Sequence, residues 1–343
     1  MTNSNSGFAW GSEETKYFFE LTPEKILDAV ERSGLRCTGR CLTLNSMENR
    51  VYEVEIEWES DEPPKSPSEK FRIVKFYRPG RWTETQILEE HAFLKDLVDA
   101  EIPAVAPLTF SDGRTLHKLP DLDIWYSVFP KVGGRNPDEL TLDQAEQVGR
   151  LLGRMHVVGK MKAAPHRVKL DPETYGKKNL EFLITSKMIP QDYLPRYQGL
   201  VEEVCHLAEP LFKESTPQRI HGDCHLGNLL WSSQGAFFVD FDDMVTGPCI
   251  QDFWLLVPGR LEENRELFNK LISGYEQFTE FNDAEIKLIE PLRALRFIHF
   301  SAWIAKRWED PFFKRVFTQF GTAQYWQEQI SDLNDQLEVI RAL

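Results

Sequence analysis

The strongest constraint on this chain is the place where its hydrophobic period changes. From Val51 to Trp58 the side chains alternate, with Tyr52, Val54, Ile56 and Trp58 on one face and Glu53, Glu55 and Glu57 on the other. A period of two is that of a half-buried strand. Phe71–Tyr77 and Asp123–Pro130 predict two more strands, and the prolines at 63, 64 and 67 mark an exposed hairpin loop over 60–70. Further on the period lengthens to that of helices. Thr141 and Gln144 form a capping box that opens a helix with Val148, Leu151, Leu152, Met155 and His156 on one side. Helices are also predicted at about 199–213, 262–280 and 285–308, with one short strand at Ala236–Phe241. Strands crowd the first third and helices the remainder, so the class is α+β. A small β-rich N-lobe is expected over 1–127 and a larger, mostly helical C-lobe over 128–343.

Two helices belong to the first third. One runs over 23–34, with Thr22 as N-cap, Pro23 in the first turn and Gly34 as the stop, after a loose tail of about 20 residues. The other opens at the capping box Thr83–Gln86 and carries the stripe Ile87, Leu94, Leu97 and Val98.

Composition excludes several classes. With 41% hydrophobic and 27% charged residues the chain is globular, and 343 residues suffice for two domains or one two-lobed domain. A formal charge of −14 argues against a general nucleic-acid binder, which needs excess Lys and Arg. The five cysteines are scattered, without CxxC pairs, as suits reduced thiols in a cytosol; Cys37 and Cys41 lack a second pair for zinc. Residues 1–10 lack the apolar core of a signal peptide, and no apolar run reaches the ~18 residues of a membrane span.

The chemistry concentrates in His221-Gly222-Asp223-Cys224-His225-Leu226-Gly227-Asn228 and in Val239-Asp240-Phe241-Asp242-Asp243. An aspartate five residues before an asparagine, then an aspartate after an apolar run, is the layout of a phosphoryl-transfer site. Asp223 can orient and deprotonate an acceptor hydroxyl, while Asn228 and Asp240 offer oxygens to magnesium. Lys75 stands in the apolar strand Ile73-Val74-Lys75-Phe76, where an ammonium is costly unless paired. On a helical wheel Glu90 falls inside the apolar stripe, at roughly 300° from Ile87, and Glu89 at roughly 200°, off it. Lys75 and Glu90 therefore read as a pair that positions a phosphate-binding amine. His221 is expected to hold the loop by a hydrogen bond, and His225 to pack at the site edge; a two-histidine metal site is the competing reading. Asp252 is read either as a helix cap or as a brace that accepts backbone N–H bonds of the loop. Asp242 and Asp243 are expected to stand behind the ligands or in solvent, with contact of one of them to the metal as the further alternative.

With those residues placed, the sequence resembles the aminoglycoside phosphotransferase and choline kinase branch of the protein-kinase-like fold. More closely it resembles the bacterial stress response kinase A family. The resemblance rests on Leu44–Tyr52, Val74–Pro79, Gln86–His91, Val128–Pro130 with Val132–Arg135, the loop 221–228, and Ile289–Ala294. It implies a two-lobed kinase-like fold and a cytoplasmic Ser/Thr protein kinase that uses ATP and Mg2+ in a stress response. It implies Asp223 as proton acceptor, Asn228 and Asp240 as magnesium ligands, Lys75 with Glu90 on the phosphates, and Ser46 in contact with ATP. Three departures from eukaryotic protein kinases stand out. There is no GxGxxG, Asp242 replaces the glycine of Asp-Phe-Gly, and only eleven residues separate Asp240 from Asp252, too few for a phosphorylated activation segment. Gly222–His225 also resembles part of a dinuclear metallophosphatase signature, but the further GDxxDR-like and GNHE-like segments are missing.

The acceptor stays open between a protein Ser/Thr and a small-molecule hydroxyl, and a non-catalytic nucleotide-binding regulator is the third reading. The expected partners include no nucleic acid and no membrane, and the chain is taken as a monomer.

Overall fold

The structure, a computed structural model, describes residues 18–232 and 235–343. The expected tail therefore lies almost wholly outside the described residues. In chain order the elements are α1 (Pro23–Glu31), β1 (Cys37–Leu44), β2 (Arg50–Ile56), β3 (Phe71–Phe76), α2 (Glu84–Asp99), β4 (His117–Lys118), β5 (Trp125–Pro130), α3 (Leu142–Met161), α4 (Lys178–Thr185), α5 (Leu194–Lys213) and β6 (Gln218–Ile220). There follow β7 (Leu229–Ser232), β8 (Gly235–Phe238), β9 (Val245–Gly247), α6 (Gln251–Trp254), α7 (Arg265–Tyr275), α8 (Ile289–Ala305), α9 (Pro311–Val316) and α10 (Ala323–Arg341). A five-stranded sheet precedes a mostly helical remainder, as the periodicity predicts. Among the described residues no helix is long and apolar enough to cross a membrane.

The chain divides into two compact units. One holds residues up to Pro137 together with Leu229–Asp242; the other holds Asp138–Asn228 and Asp243–Leu343. In the first, the antiparallel sheet has the order β1-β2-β3-β5-β4. Lys75 lies on its central strand, paired with Val51 on one side and Ser127 on the other. Val54, Ile56, Val74, Phe76, Tyr126 and Val128 build the core under α1. In the second unit α4, α5, α8 and α10 enclose Tyr197, Val201, Leu295, Ile298, Trp326 and Leu333, and Trp326 meets Tyr197 edge-on at 5.1 Å.

Local chemistry explains the helix starts. Thr22, Thr83 and Thr141 all cap with their side chains, and both predicted capping boxes are complete. The ends differ from expectation. Helix α1 stops at Glu31, and Gly34 closes the following turn at φ +89°. The helix expected over 285–308 begins as a 3-10 turn at Asp283–Leu288; those near 199 and 262 run over Leu194–Lys213 and Arg265–Tyr275. Strand β2 ends at Ile56, and β8 at Phe238. Val98, placed on the stripe of α2, is 44% exposed, while Phe93 and His91 are buried. The wheel gave Val98 to an edge that the core does not reach. Strand β1 escapes periodicity because it is a sheet edge with an irregular register between Cys37 and Cys41 and little burial.

Helices α3 and α7 approach through glycine. A Cβ on Gly149 would lie 2.0 Å from the Leu271 carbonyl oxygen, and one on Gly274 2.0 Å from that of Glu146. Either methyl forces two backbones apart, so Gly149→Ala should destabilise the fold by about 1–3 kcal/mol. Urea denaturation checks this: an unchanged midpoint would refute the close approach.

Candidate functional site

In the first unit a group of charged residues forms around the Lys75 ammonium, which is buried to 9% side-chain exposure between the neighbouring strands. It meets Asp242 Oδ1 at 2.9 Å, Asp240 Oδ1 at 3.2 Å and Glu90 Oε1 at 3.8 Å. Burial alone would lower the lysine's pKa, but the carboxylates of Asp242, Glu90 and Asp240 outweigh it and raise it well above the usual value. Lys75 is therefore a fixed cation. Glu90, on the buried face of α2, is brought to Lys75 as the wheel predicts.

Asp242 takes the buried one of its two expected places. Its side chain is 3% exposed rather than solvated, because it is the centre of a second set of contacts. Arg81 pairs with it, Asn49 Nδ2 donates to its Oδ2 at 3.1 Å, and Lys75 takes its other oxygen. Asn49 in turn accepts from the Arg78 backbone N–H at 3.0 Å, and Arg78 pairs with Glu48 at 3.1 Å. The end of the loop between β1 and β2 is thus tied to the Asp240–Asp242 segment by buried charges. Ser46 sits half-buried in that loop, but it is Glu48 and Asn49 that join the cluster. Asp240 itself is 57% exposed and has φ +61°, a left-handed backbone that costs an aspartate about 1 kcal/mol. Lys75, Arg78 and Arg81 face Glu48, Glu90, Asp240 and Asp242, so the cluster keeps one carboxylate in excess of its cations.

In the second unit the candidate residues lie on the loop 221–228, between β6 and β7. Asp252 is its brace. One oxygen accepts from the His221 N–H at 2.9 Å and the other from the Gly222 N–H at 2.8 Å, so the cap reading of Asp252 gives way to the brace. His156 Nε2 donates to the same carboxylate at 3.0 Å in a fully buried pair. Burial alone would lower the histidine's pKa, but Cys249 and Asp252 push it up to about 10. Gly222 has φ +88°, and a Cβ there would stand 2.3 Å from the Asp243 carbonyl oxygen, so only glycine fits the turn.

Asp223 follows that turn. Its N–H donates to His221 Nδ1 at 3.2 Å, the loop-holding bond expected of His221. Its Oδ1 receives Arg296 Nη1 at 3.0 Å, and its Oδ2 lies 3.3 Å from His225 Nε2. The Gly227 N–H donates to His225 Nδ1, which leaves the proton on Nε2, directed at Asp223. Burial would raise the Asp223 pKa, but the His225 hydrogen bond, Arg296 and His221 together hold it well below the usual carboxylate range. The carboxylate is therefore ionised at neutral pH, with 22% of the side chain still exposed. Asn228 Nδ2 donates to the Asp223 carbonyl at 3.1 Å, which orients the amide and leaves Oδ1 as its remaining acceptor.

Lys75, Glu90 and Asp240 are thus together in one unit, and Asp223 and Asn228 in the other. Sequence reasoning missed Asp242 as a buried hub, Arg78, Arg81 and Asn49 around it, and Arg296. The signal for Arg296 was present: Arg293 and Arg296 are spaced i,i+3 in an otherwise apolar helix.

A model of the phosphotransferase enzyme family (APH) matches residues 44–289. Stress response kinase A of Escherichia coli (strain K12) is 39% identical over 325 residues, which cover 94% of this chain and 95% of that one. Serine/threonine protein kinase RdoA of Salmonella typhimurium (strain LT2) is 37% identical over 324 residues, 94% of each. The structure of amicoumacin kinase hAmiN in complex with AMP-PNP, Ca2+ and Ami superposes with a TM-score of 0.65 at 19% identity, covering 90% of this chain and 93% of that one. At that identity the likeness speaks for a shared, kinase-like fold.

Two outcomes follow from the buried pairs. Asp242→Ala leaves Lys75 and Arg81 without their common counter-ion and should cost about 3–5 kcal/mol in urea unfolding; a loss below ~1 kcal/mol would contradict the hub. His156 has a raised pKa in the folded state, so its contribution is complete below the unfolded value of about 6.5 and is lost as pH rises through about 10. Unfolding free energy should therefore decline between those limits in the natural chain and decline less in His156→Gln.

Proposed function

The chain belongs to the phosphotransferase enzyme family, and on that premise we propose that it is an ATP-dependent serine/threonine protein kinase working with magnesium in the cytoplasm. The observation that carries the reading is Asp223: a carboxylate held ionised by Arg296 and His225, on a loop whose backbone is braced by Asp252. Such a group can orient a hydroxyl and take its proton as the oxygen–phosphorus bond forms. Phosphoryl transfer asks little more of a base, because positioning and charge neutralisation supply most of the catalysis. Lys75, kept cationic and directed by Glu90, is proposed to hold the phosphates, with Ser46 contacting ATP from the preceding loop.

Asp240 and Asn228 are proposed as magnesium ligands. The donors fit a hard cation: an exposed carboxylate in a cluster with one negative charge in excess, and an amide oxygen. Among the described residues no group of three or more His, Cys, Asp or Glu side chains is arranged around a metal position. That composition suits magnesium, which commonly relies on one or two carboxylates plus substrate phosphates and water. When bound, the ion would neutralise charge on the transferring phosphoryl group.

A second reading is a small-molecule kinase, favoured by the structural likeness to an amicoumacin kinase. Incubation with labelled ATP separates the two: label in protein Ser or Thr supports the first, and label only in added metabolites the second. Asp223→Ala should lower transfer by about 10²–10⁴ while leaving ATP affinity nearly intact; unchanged turnover refutes its role. Asp240→Ala should weaken ATP binding only when magnesium is present, and equal losses with and without metal would count against it.

A further inference from the structure

Arg296 sets a guanidinium group against Asp223, and two further arginines are anchored close to it in the fold. It rises from α8 with its side chain 45% exposed and places Nη1 3.0 Å from Asp223 Oδ1. Arg293 lies one turn earlier on the same helix face. It pairs with Glu290 at 3.3 Å, donates to the Gly259 carbonyl at 3.0 Å and stacks over Trp254. Arg260, from the loop after α6, pairs with the same Glu290. Glu290 is itself nearly buried and receives Gln336 from α10. One anchored carboxylate thus holds two guanidinium groups in fixed positions, with one positive charge left over, next to the arginine that touches Asp223. This stands against the charge of −14 carried by the chain as a whole.

We propose that the acceptor is a hydroxyl with a carboxylate beside it, recognised by Arg296 together with Arg293 and Arg260. The inference rests on Asp223 as the residue that takes the acceptor proton. The hydroxyl oxygen bonds to the γ-phosphorus, the bond from that phosphorus to the β–γ bridging oxygen breaks, the proton passes to Asp223, and ADP leaves. As the acceptor arrives, its carboxylate shares Arg296 with Asp223. Planar guanidinium groups suit carboxylate by bidentate bonding, and their placement repels an ammonium in the same position. Cationic amino alcohols and aminosugars are therefore poor acceptors. The carboxylate could come from a peptide Asp or Glu flanking Ser/Thr, or from a free hydroxy acid.

The test is transfer from Mg-ATP by the full chain to three serine peptides of equal length, flanked by Glu, Gln or Lys. Ethanolamine and a free hydroxy acid are run in parallel. The Glu peptide should exceed the Lys peptide about tenfold in kcat/KM, since each partly exposed pair contributes severalfold. In Arg293→Gln and Arg296→Gln the ratio of Glu to Gln peptide should fall toward one; a ratio taken within one variant is insensitive to partial loss of folded protein. Equal rates on the three peptides, or preference for Lys, overturn the inference and leave the protein-kinase reading standing. Transfer to the hydroxy acid alone upholds the inference and removes the protein-kinase reading. Transfer to ethanolamine alone overturns both.

Discussion

The buried ammonium of Lys75 organises the first unit. A cation in the middle of a sheet is tolerable only with anions beside it, and the fold supplies three from two different elements. Helix α2 sends Glu90 from its buried face, and the turn after β8 sends Asp240 and Asp242. Because Asp242 is also tied to Arg81 and Asn49, the lysine's position is linked to the loop after β1. The result is a charge held in place by its neighbours rather than by its own flexible stem.

The second unit solves a different problem with a similar device. A tight turn at Gly222 exposes backbone N–H groups, and the Asp252 carboxylate absorbs two of them while His156 steadies that carboxylate from behind. His221, Gly222 and Cys224 are buried while Asp223 stays partly exposed. Asp223 can keep a partly exposed carboxylate at its surface, with its ionisation maintained by Arg296 and His225.

Much of this is legible in the sequence, for identifiable reasons. Capping boxes at Thr83 and Thr141 are local, so four residues suffice to see them. Glu90 can be paired with Lys75 because a carboxylate in an apolar stripe contradicts its own surroundings. The burial of Asp242 cannot be read in the same way: it depends on Asn49 and Arg81, about 190 and 160 residues away, and no short-range pattern announces them. Arg296 lies just beyond the recognisable segment Ile289–Ala294; its spacing from Arg293 is visible in the sequence, but its partner Asp223 is not, because the two are 73 residues apart. Strand β1 and helices α4 and α10 went unpredicted; for β1, an exposed, bulged edge carries no alternation to detect.

The first unit is discontinuous in the chain, interrupted after Pro137 and resumed at Leu229. Lys75 and Asp240 are 165 residues apart. During synthesis the central strand of the sheet, with Glu90 following soon after it, therefore leaves the ribosome long before Asp240 and Asp242, two of its three counter-charges, exist. The amino-terminal portion cannot reach its mature electrostatics by folding as it emerges; it must wait for most of the polypeptide, and the loop 221–228 is translated before that waiting ends. Completion of the charge cluster in the sheet is thereby coupled to synthesis of the loop 221–228, which the ribosome makes first.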